Sequence, residues 1–265
     1  MPSAFCLSVR NCVKKGIQMI SKELIPDKIR TWVGPFANKN DYINTGKEIF
    51  NLILKYYNLK NANDILDAGC GCGRIAIHLL HFLNKNTKYY GFDICPEHIE
   101  WCKKHIESKY NNFKFYHLDI KKEAYNPQGT LELSDTKLPY KDKSFDFIIA
   151  HSLFTHMLSN EFEYYISEFK RILRKNGFFY ASYYLYNDER KIGIKNNTSC
   201  LNFNYKINDC YTFDKNNPEE AIAQIEKNVI NVYNKNNFEI TIPINYSKWS
   251  INKEFSQDFI IARSK

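Results

Sequence analysis

The sequence predicts an α/β fold: a doubly wound, mostly parallel sheet of seven strands with helices on both faces. Three observations carry this. Short apolar runs alternate with longer amphipathic stretches, the order expected of parallel strands joined by crossover helices. The first apolar run ends in a glycine-rich turn that opens a helix. The chain has 265 residues, 44% hydrophobic and 25% charged, which suits one such domain with additions better than two full domains.

The elements follow in order. Residues 1–24 read as an extension whose apolar stretch is too short for a signal peptide, with Met19 as an alternative start. One domain is expected over residues 25–265. After IPDKIRTWVGPF, the stretch DYINTGKEIFNLILKYYNL places Ile49, Leu52, Ile53 and Tyr56 on one face and predicts an N-terminal helical cap. NDILDAG reads as a strand, GRIAIHLLHFLNK as a helix and KYYGFD as a strand. PEHIEWCKKHIESKY is a helix with proline in its first turn, and FKFYHLDI a third strand.

A polar stretch then leads to FDFIIAHS, a fourth strand. NEFEYYISEFKRILRKNG predicts a helix with Asn160 and Glu163 as its capping box, Phe162, Ile166, Phe169 and Leu173 on one face, and Gly177 at its end. GFFYASYYLY is a strand, EEAIAQIEKNVINVYNK a helix, and FEITIPI and DFIIARS are the last two strands. Residues 187–218 lack strong periodicity and are expected to form a lid insertion.

Composition narrows the partners. Lysine and arginine exceed aspartate and glutamate by 37 to 29, a net charge of +8. The lysines are scattered rather than gathered in a stripe, so nucleic acid is not the expected partner; a small anionic ligand suits the balance better. The eight cysteines form no CxxC pair and no zinc spacing, and the seven histidines no HExxH, so no metal is expected. Thiols of this kind suit a reducing cytoplasm, and no apolar run reaches the length of a membrane span.

The sharpest chemical signal is DILDAGCGCGR, Asp64 to Arg74. Gly69, Cys70 and Gly71 lie between a strand and a helix, where backbone can approach a ligand and the helix start offers N–H groups. A dinucleotide site shares this logic, but here the glycines fall as GxGxG and Arg74 occupies the third small position of the dinucleotide pattern. Asp67 precedes the glycines, where a carboxylate suits a cationic amine and would repel a pyrophosphate. Asp93 closes YYGFDI and can take two ribose hydroxyls. Asp119 closes FYHLDI and can accept from an adenine amino group, with Ile94 and Ile120 on the ring faces. His151 and His156, in HSLFTHM, follow the fourth strand, on the side of an open sheet where ligands bind.

At these residues the chain resembles the class I S-adenosylmethionine-dependent methyltransferases, which have a Rossmann-like sheet. Further blocks, GFDICPEHIEWCKK, YNPQG, LPYKDKSFDFIIAHSLFTHM and FKRILRKNGFFYASYYL, look like those of one bacterial family met in gene clusters for capsule and other surface glycans. KNG at Lys175–Gly177 departs from that family's PGG turn. The resemblance implies S-adenosylmethionine as cofactor and methyl transfer to an oxygen of a sugar hydroxyl, phosphoryl or phosphoramidate group. It implies His156 as the base and His151 as a residue lining the cofactor pocket. An RNA methyltransferase and a non-catalytic cofactor-binding domain are the competing readings; the first would want a clustered basic face.

Overall fold

The structure, a computed structural model, describes residues 26–30, 39–123, 125–133, 136–251 and 256–265. The extension at 1–24 and the choice of start lie outside the described residues. The chain divides into two compact units between Gly129 and Thr130.

The first unit holds α1 (Asp27–Arg30), α2 (Lys39–Tyr56), β1 (Asp64–Ala68), α3 (Ala76–Leu79), β2 (Lys88–Asp93), α4 (Pro96–Cys102) and β3 (Phe113–His117). Its strands run parallel in the order β3-β2-β1, with Asp67 opposite Gly91 and Asp93 opposite His117. The helical cap is present as α2. Its buried face is wider than the sequence pattern indicated: Tyr42, Phe50 and Ile53 are fully covered and Ile49 nearly so, while Leu52 and Tyr56 are only partly covered. The helix after β1 is far shorter than GRIAIHLLHFLNK implied. All four residues of α3 are buried, and the amides of His78 and Phe82 bond back three residues, to Ile75 and Leu79, so the segment tightens into turns.

The second unit holds β4 (Phe145–Ala150), α5 (Ser159–Ile172), β5 (Leu173–Tyr186), α6 (Asp188–Lys195), β6 (Tyr205–Ile207), β7 (Cys210–Thr212), β8 (Ile222–Ile225), α7 (Glu226–Lys235), β9 (Phe238–Ile240) and β10 (Asp258–Ser264). β5 runs parallel to β4 and β8 and antiparallel to β10. The capping group of α5 is Glu161, whose carboxylate accepts from the Leu158 amide at 2.9 Å, instead of the expected Asn160–Glu163 pair. The helix stops at Ile172, and Gly177 sits inside β5 at an irregularity where the register with β4 jumps from Leu173 to Phe178.

Residues 222–225, expected in a helix, form β8. Local composition favours helix here, but Ile222, Ala223 and Gln224 are all buried and β8 pairs with both β5 and β7, so tertiary pairing decides. The stretch 187–218 is also ordered. It contributes α6, β6 and β7, and Phe203 and Ile194 from it pack with Tyr184 and Trp249 into a small aromatic core of its own.

Candidate cofactor and active site

In the first unit, β1 delivers the chain into the glycine turn. Gly69, Gly71 and Gly73 all adopt positive φ, at 73°, 52° and 78°. At Gly73 a side chain is excluded twice over: by that left-handed backbone and by Ile106, whose Cδ1 would lie 2.9 Å from a Cβ. The amides of Gly69 and Cys70 both donate to the Phe92 carbonyl at 2.9 Å, which ties the turn to the end of β2. α2 closes over the turn. The Tyr42 hydroxyl donates to the Cys72 carbonyl at 3.1 Å, a Cβ on Gly46 would run into the Arg74 carbonyl, and His78 donates to the Ile43 carbonyl at 3.0 Å. Burial pushes His78 down to about 4, so it is a neutral structural group.

Asp67 is 1% exposed and accepts from the Tyr89 hydroxyl at 2.6 Å. Burial pushes its carboxyl up to about 7, against the lowering effects of Tyr89 and the Arg74 charge. A buried carboxyl so poised gains from a cationic partner.

Asp93 ends β2. One oxygen accepts from the Gly71 amide at 2.8 Å, the other from the Cys95 amide at 2.9 Å, and His98 Nδ1 lies 3.7 Å from the second oxygen. Burial alone would raise this carboxyl, but His98 and the two amides outweigh it and hold it below the usual aspartate value.

Asp119 lies two residues beyond β3. Asn126 donates to it at 3.2 Å and to the Ile120 carbonyl at 3.1 Å, while a Cβ on Gly129 would meet the Ile120 carbonyl carbon at 2.6 Å. The YNPQG turn thus folds back onto Asp119 and orients it. Ile120 is fully buried and Ile94 partly so, its carbonyl held by His117 Nε2 at 3.0 Å. The first unit therefore gathers Asp67, Gly69, Cys70, Gly71 and Asp93 around one turn. Tyr89, His98 and Asn126 support the acids and were missed from sequence, since each reaches its partner across strands or turns.

In the second unit, His151 and His156 follow β4. His151 Nδ1 lies 2.9 Å from the hydroxyl of buried Tyr180. Ser152 has φ of 56°, and its amide donates to Ser182 Oγ at 2.7 Å. Both serine hydroxyls donate to Gln257 Oε1, at 3.0 and 2.6 Å. His156 donates from Nδ1 to the Glu219 carbonyl at 3.0 Å, which in the neutral ring leaves the lone pair on Nε2. The turn carrying His156 is pinned by buried Gln224, which donates to the Met157 carbonyl at 2.8 Å and the Phe154 carbonyl at 3.4 Å. Glu219 and Gln224 come from the segment just past the insertion and have no signature in sequence. Among the described residues no group of three or more metal-ligating side chains forms.

A family model described as a methyltransferase domain matches residues 59–237, more than half of the chain. The chain belongs to that family. Solved structures show the same fold. A SAM-dependent methyltransferase from Methanosarcina mazei is 23% identical, with TM-score 0.55 over 80% of this chain and 96% of that one. Magnesium protoporphyrin IX methyltransferase from Synechocystis, with bound SAH, is 15% identical, with TM-score 0.57 over 97% of this chain and 100% of that one. An O-methyltransferase from a trans-AT PKS multienzyme of Brevibacillus brevis, in complex with S-adenosyl-L-homocysteine, is 15% identical, with TM-score 0.57 over 82% of this chain and 71% of that one. The methyltransferase is of class I, S-adenosylmethionine-dependent and Rossmann-like. Among the described residues no helix is long and apolar enough to cross a membrane.

Proposed function

We propose that this methyltransferase moves a methyl group from S-adenosylmethionine to an oxygen of a small polar acceptor. The acceptor is a sugar hydroxyl, or a phosphoryl or phosphoramidate oxygen, of a nucleotide-linked precursor used in surface-polysaccharide synthesis in the cytoplasm. The observation that carries the cofactor half is the Asp93 carboxylate, held by the Gly71 and Cys95 amides beside a left-handed glycine turn. Asp93 takes the ribose hydroxyls and Asp67 the amine of the methionine part. Asp119 takes the adenine amino group between Ile94 and Ile120. The backbone of Gly69, Cys70 and Gly71 runs along the ligand.

The residues fit the cofactor, because the buried Asp67 carboxyl, pushed up to about 7, is stabilised as a carboxylate by an ammonium group. When bound, S-adenosylmethionine would supply a sulfonium methyl for transfer to the acceptor oxygen, its sulfur keeping the electron pair of the broken carbon–sulfur bond. His156 receives the acceptor proton at Nε2, since its Nδ1 hydrogen is committed to the Glu219 carbonyl. The oxygen acceptor and the glycan role are supported by the sequence blocks around His151 and His156.

Titration calorimetry with S-adenosylhomocysteine and with NAD tests the cofactor, and labelled-methyl transfer to a panel of nucleotide sugars tests the acceptor. Binding of S-adenosylhomocysteine alone is expected; preferential NAD binding overturns the reading. Tight cofactor binding with no transfer to any oxygen acceptor of the panel would remove the O-methyl assignment.

A further inference from the structure

Asp93 has a third partner that neither the glycine turn nor the ribose role requires. His98 sits in the first turn of α4, and its side chain is 3% exposed against 14% for Asp93. The 3.7 Å between Nδ1 and Oδ1 is longer than a hydrogen bond and within ion-pair range. Two features of this position disfavour a charged imidazole: burial, and the start of a helix, which repels cations. A carboxylate at this range is what makes the charged form tenable.

We propose that His98 is a positioning residue for the cofactor, its imidazolium pairing with Asp93 and keeping that carboxylate ionised and fixed for the ribose hydroxyls. The inference rests on the reading of Asp93 as the ribose carboxylate. The shifts agree with the geometry. Burial pulls His98 down, but Asp93 and the Cys95 thiol outweigh it and raise it above the ordinary histidine value.

Several titratable groups face the pair. On its own segment His98 faces Cys95, whose thiol donates to Glu97 Oε2 at 3.4 Å. From β2 it faces Asp93, which in turn interacts with Asp67 of β1 and with the Cys70 and Cys72 thiols of the glycine turn. β3 ends in His117, whose Nε2 is engaged by the Ile94 carbonyl.

The sign follows. Asp93 is ionised throughout the neutral range, so its pairing with His98 persists until pH rises through the raised value of the imidazole. Ribose binding should then be flat across neutrality and weaken on the alkaline side.

The test uses the full chain and methylthioadenosine, which keeps the ribose but lacks the amino-acid group whose own titration would obscure the alkaline limb. Histidine-ring NMR should show His98 protonated at pH 7.5. His98→Met should weaken methylthioadenosine about tenfold at that pH, the worth of one pKa unit, and abolish the alkaline limb. A purely structural role would leave the shape of the pH profile unchanged. Asp93→Asn is the control that separates the two claims. If Asp93→Asn weakens binding while His98→Met does not, the inference fails and the ribose role stands. If Asp93→Asn binds normally, the ribose role fails and the inference with it. Should His98→Met not fold, the NMR titration of the unaltered chain decides, and a His98 ring neutral at pH 7.5 overturns the proposal.

Discussion

At the scale of single residues, the three acids differ in how burial and hydrogen bonds set their charge. Asp93 is held low by His98 and two amides, whereas among the described residues Asp67 has the Tyr89 hydroxyl and the Arg74 charge to offset burial and is pushed up to about 7. Asp67 is therefore partly protonated at neutral pH in the free protein, and an ammonium ligand must draw it to the ionised form. S-adenosylhomocysteine should release protons on binding near pH 7, and its affinity should fall about fivefold from pH 7 to pH 6 as Asp67 retains its proton. Calorimetry in buffers of different ionisation enthalpy measures the release, and Asp67→Asn should abolish it; equal release by that variant would place the proton elsewhere. His156 makes a different prediction. If it receives the proton of a hydroxyl acceptor, His156→Ala should lower turnover about 10²- to 10⁴-fold while cofactor affinity holds. With an anionic phosphoryl acceptor no base is needed, and the loss should be small and lie in substrate placement. Asp67, Asp93 and Asp119 were all legible in sequence because each closes an apolar run. Tyr89, His98 and Asn126 were not, since their partners lie 22, 5 and 7 residues away and no local period marks them.

At the scale of elements, the stretch after β5 is where sequence and structure part most. Its helix α6 is anchored by Arg190, 3% exposed, which donates to Ser250 Oγ at 2.6 Å and pairs with Asp258 at 3.3 Å. Asp258 is wholly buried and also accepts from the Leu185 amide and Trp249 Nε1, each at 2.8 Å. The guanidinium lies over the rings of Tyr246 and Trp249. None of this could be read from residues 187–218, because the anchor residues Ser250 and Asp258 lie far along the chain and the segment's own core is built from scattered aromatics. Arg190→Met keeps much of the side-chain volume but strands the Asp258 charge, a change that typically costs about 3–5 kcal/mol in a buried pair. Urea unfolding followed by circular dichroism should show that loss, and a variant within about 0.5 kcal/mol of the parent would mean that Asp258 is satisfied by its other donors. The same logic explains β8. A run that reads as helix by composition becomes a strand once both of its neighbours offer pairing, and it then delivers Gln224 to the turn that carries His156.

For the whole molecule, β1 to β5, β9 and β10 follow the apolar runs visible in sequence while β6, β7 and β8 do not, because a buried strand is a short apolar run and little else competes for it. Charge is the other property that belongs to the molecule as a whole. With 37 basic against 29 acidic residues, the chain carries +8 spread over its length. A diffuse field of this kind cannot specify a ligand, but it does favour the approach of an anion, and it does so only as far as salt permits. The Debye length shrinks from about 30 Å at 0.01 M salt to about 10 Å at 0.1 M. For an acceptor bearing phosphoryl groups, KM should rise several-fold between those conditions, with kcat unchanged, because salt acts on encounter and not on chemistry. S-adenosylhomocysteine, an ammonium carboxylate with no net charge, serves as the internal control, and its affinity should shift by less than about twofold over the same range. Steady-state kinetics on any turned-over acceptor at the two salt concentrations makes the measurement. A KM that does not move with salt would separate the net charge from substrate capture and count against a nucleotide-linked acceptor.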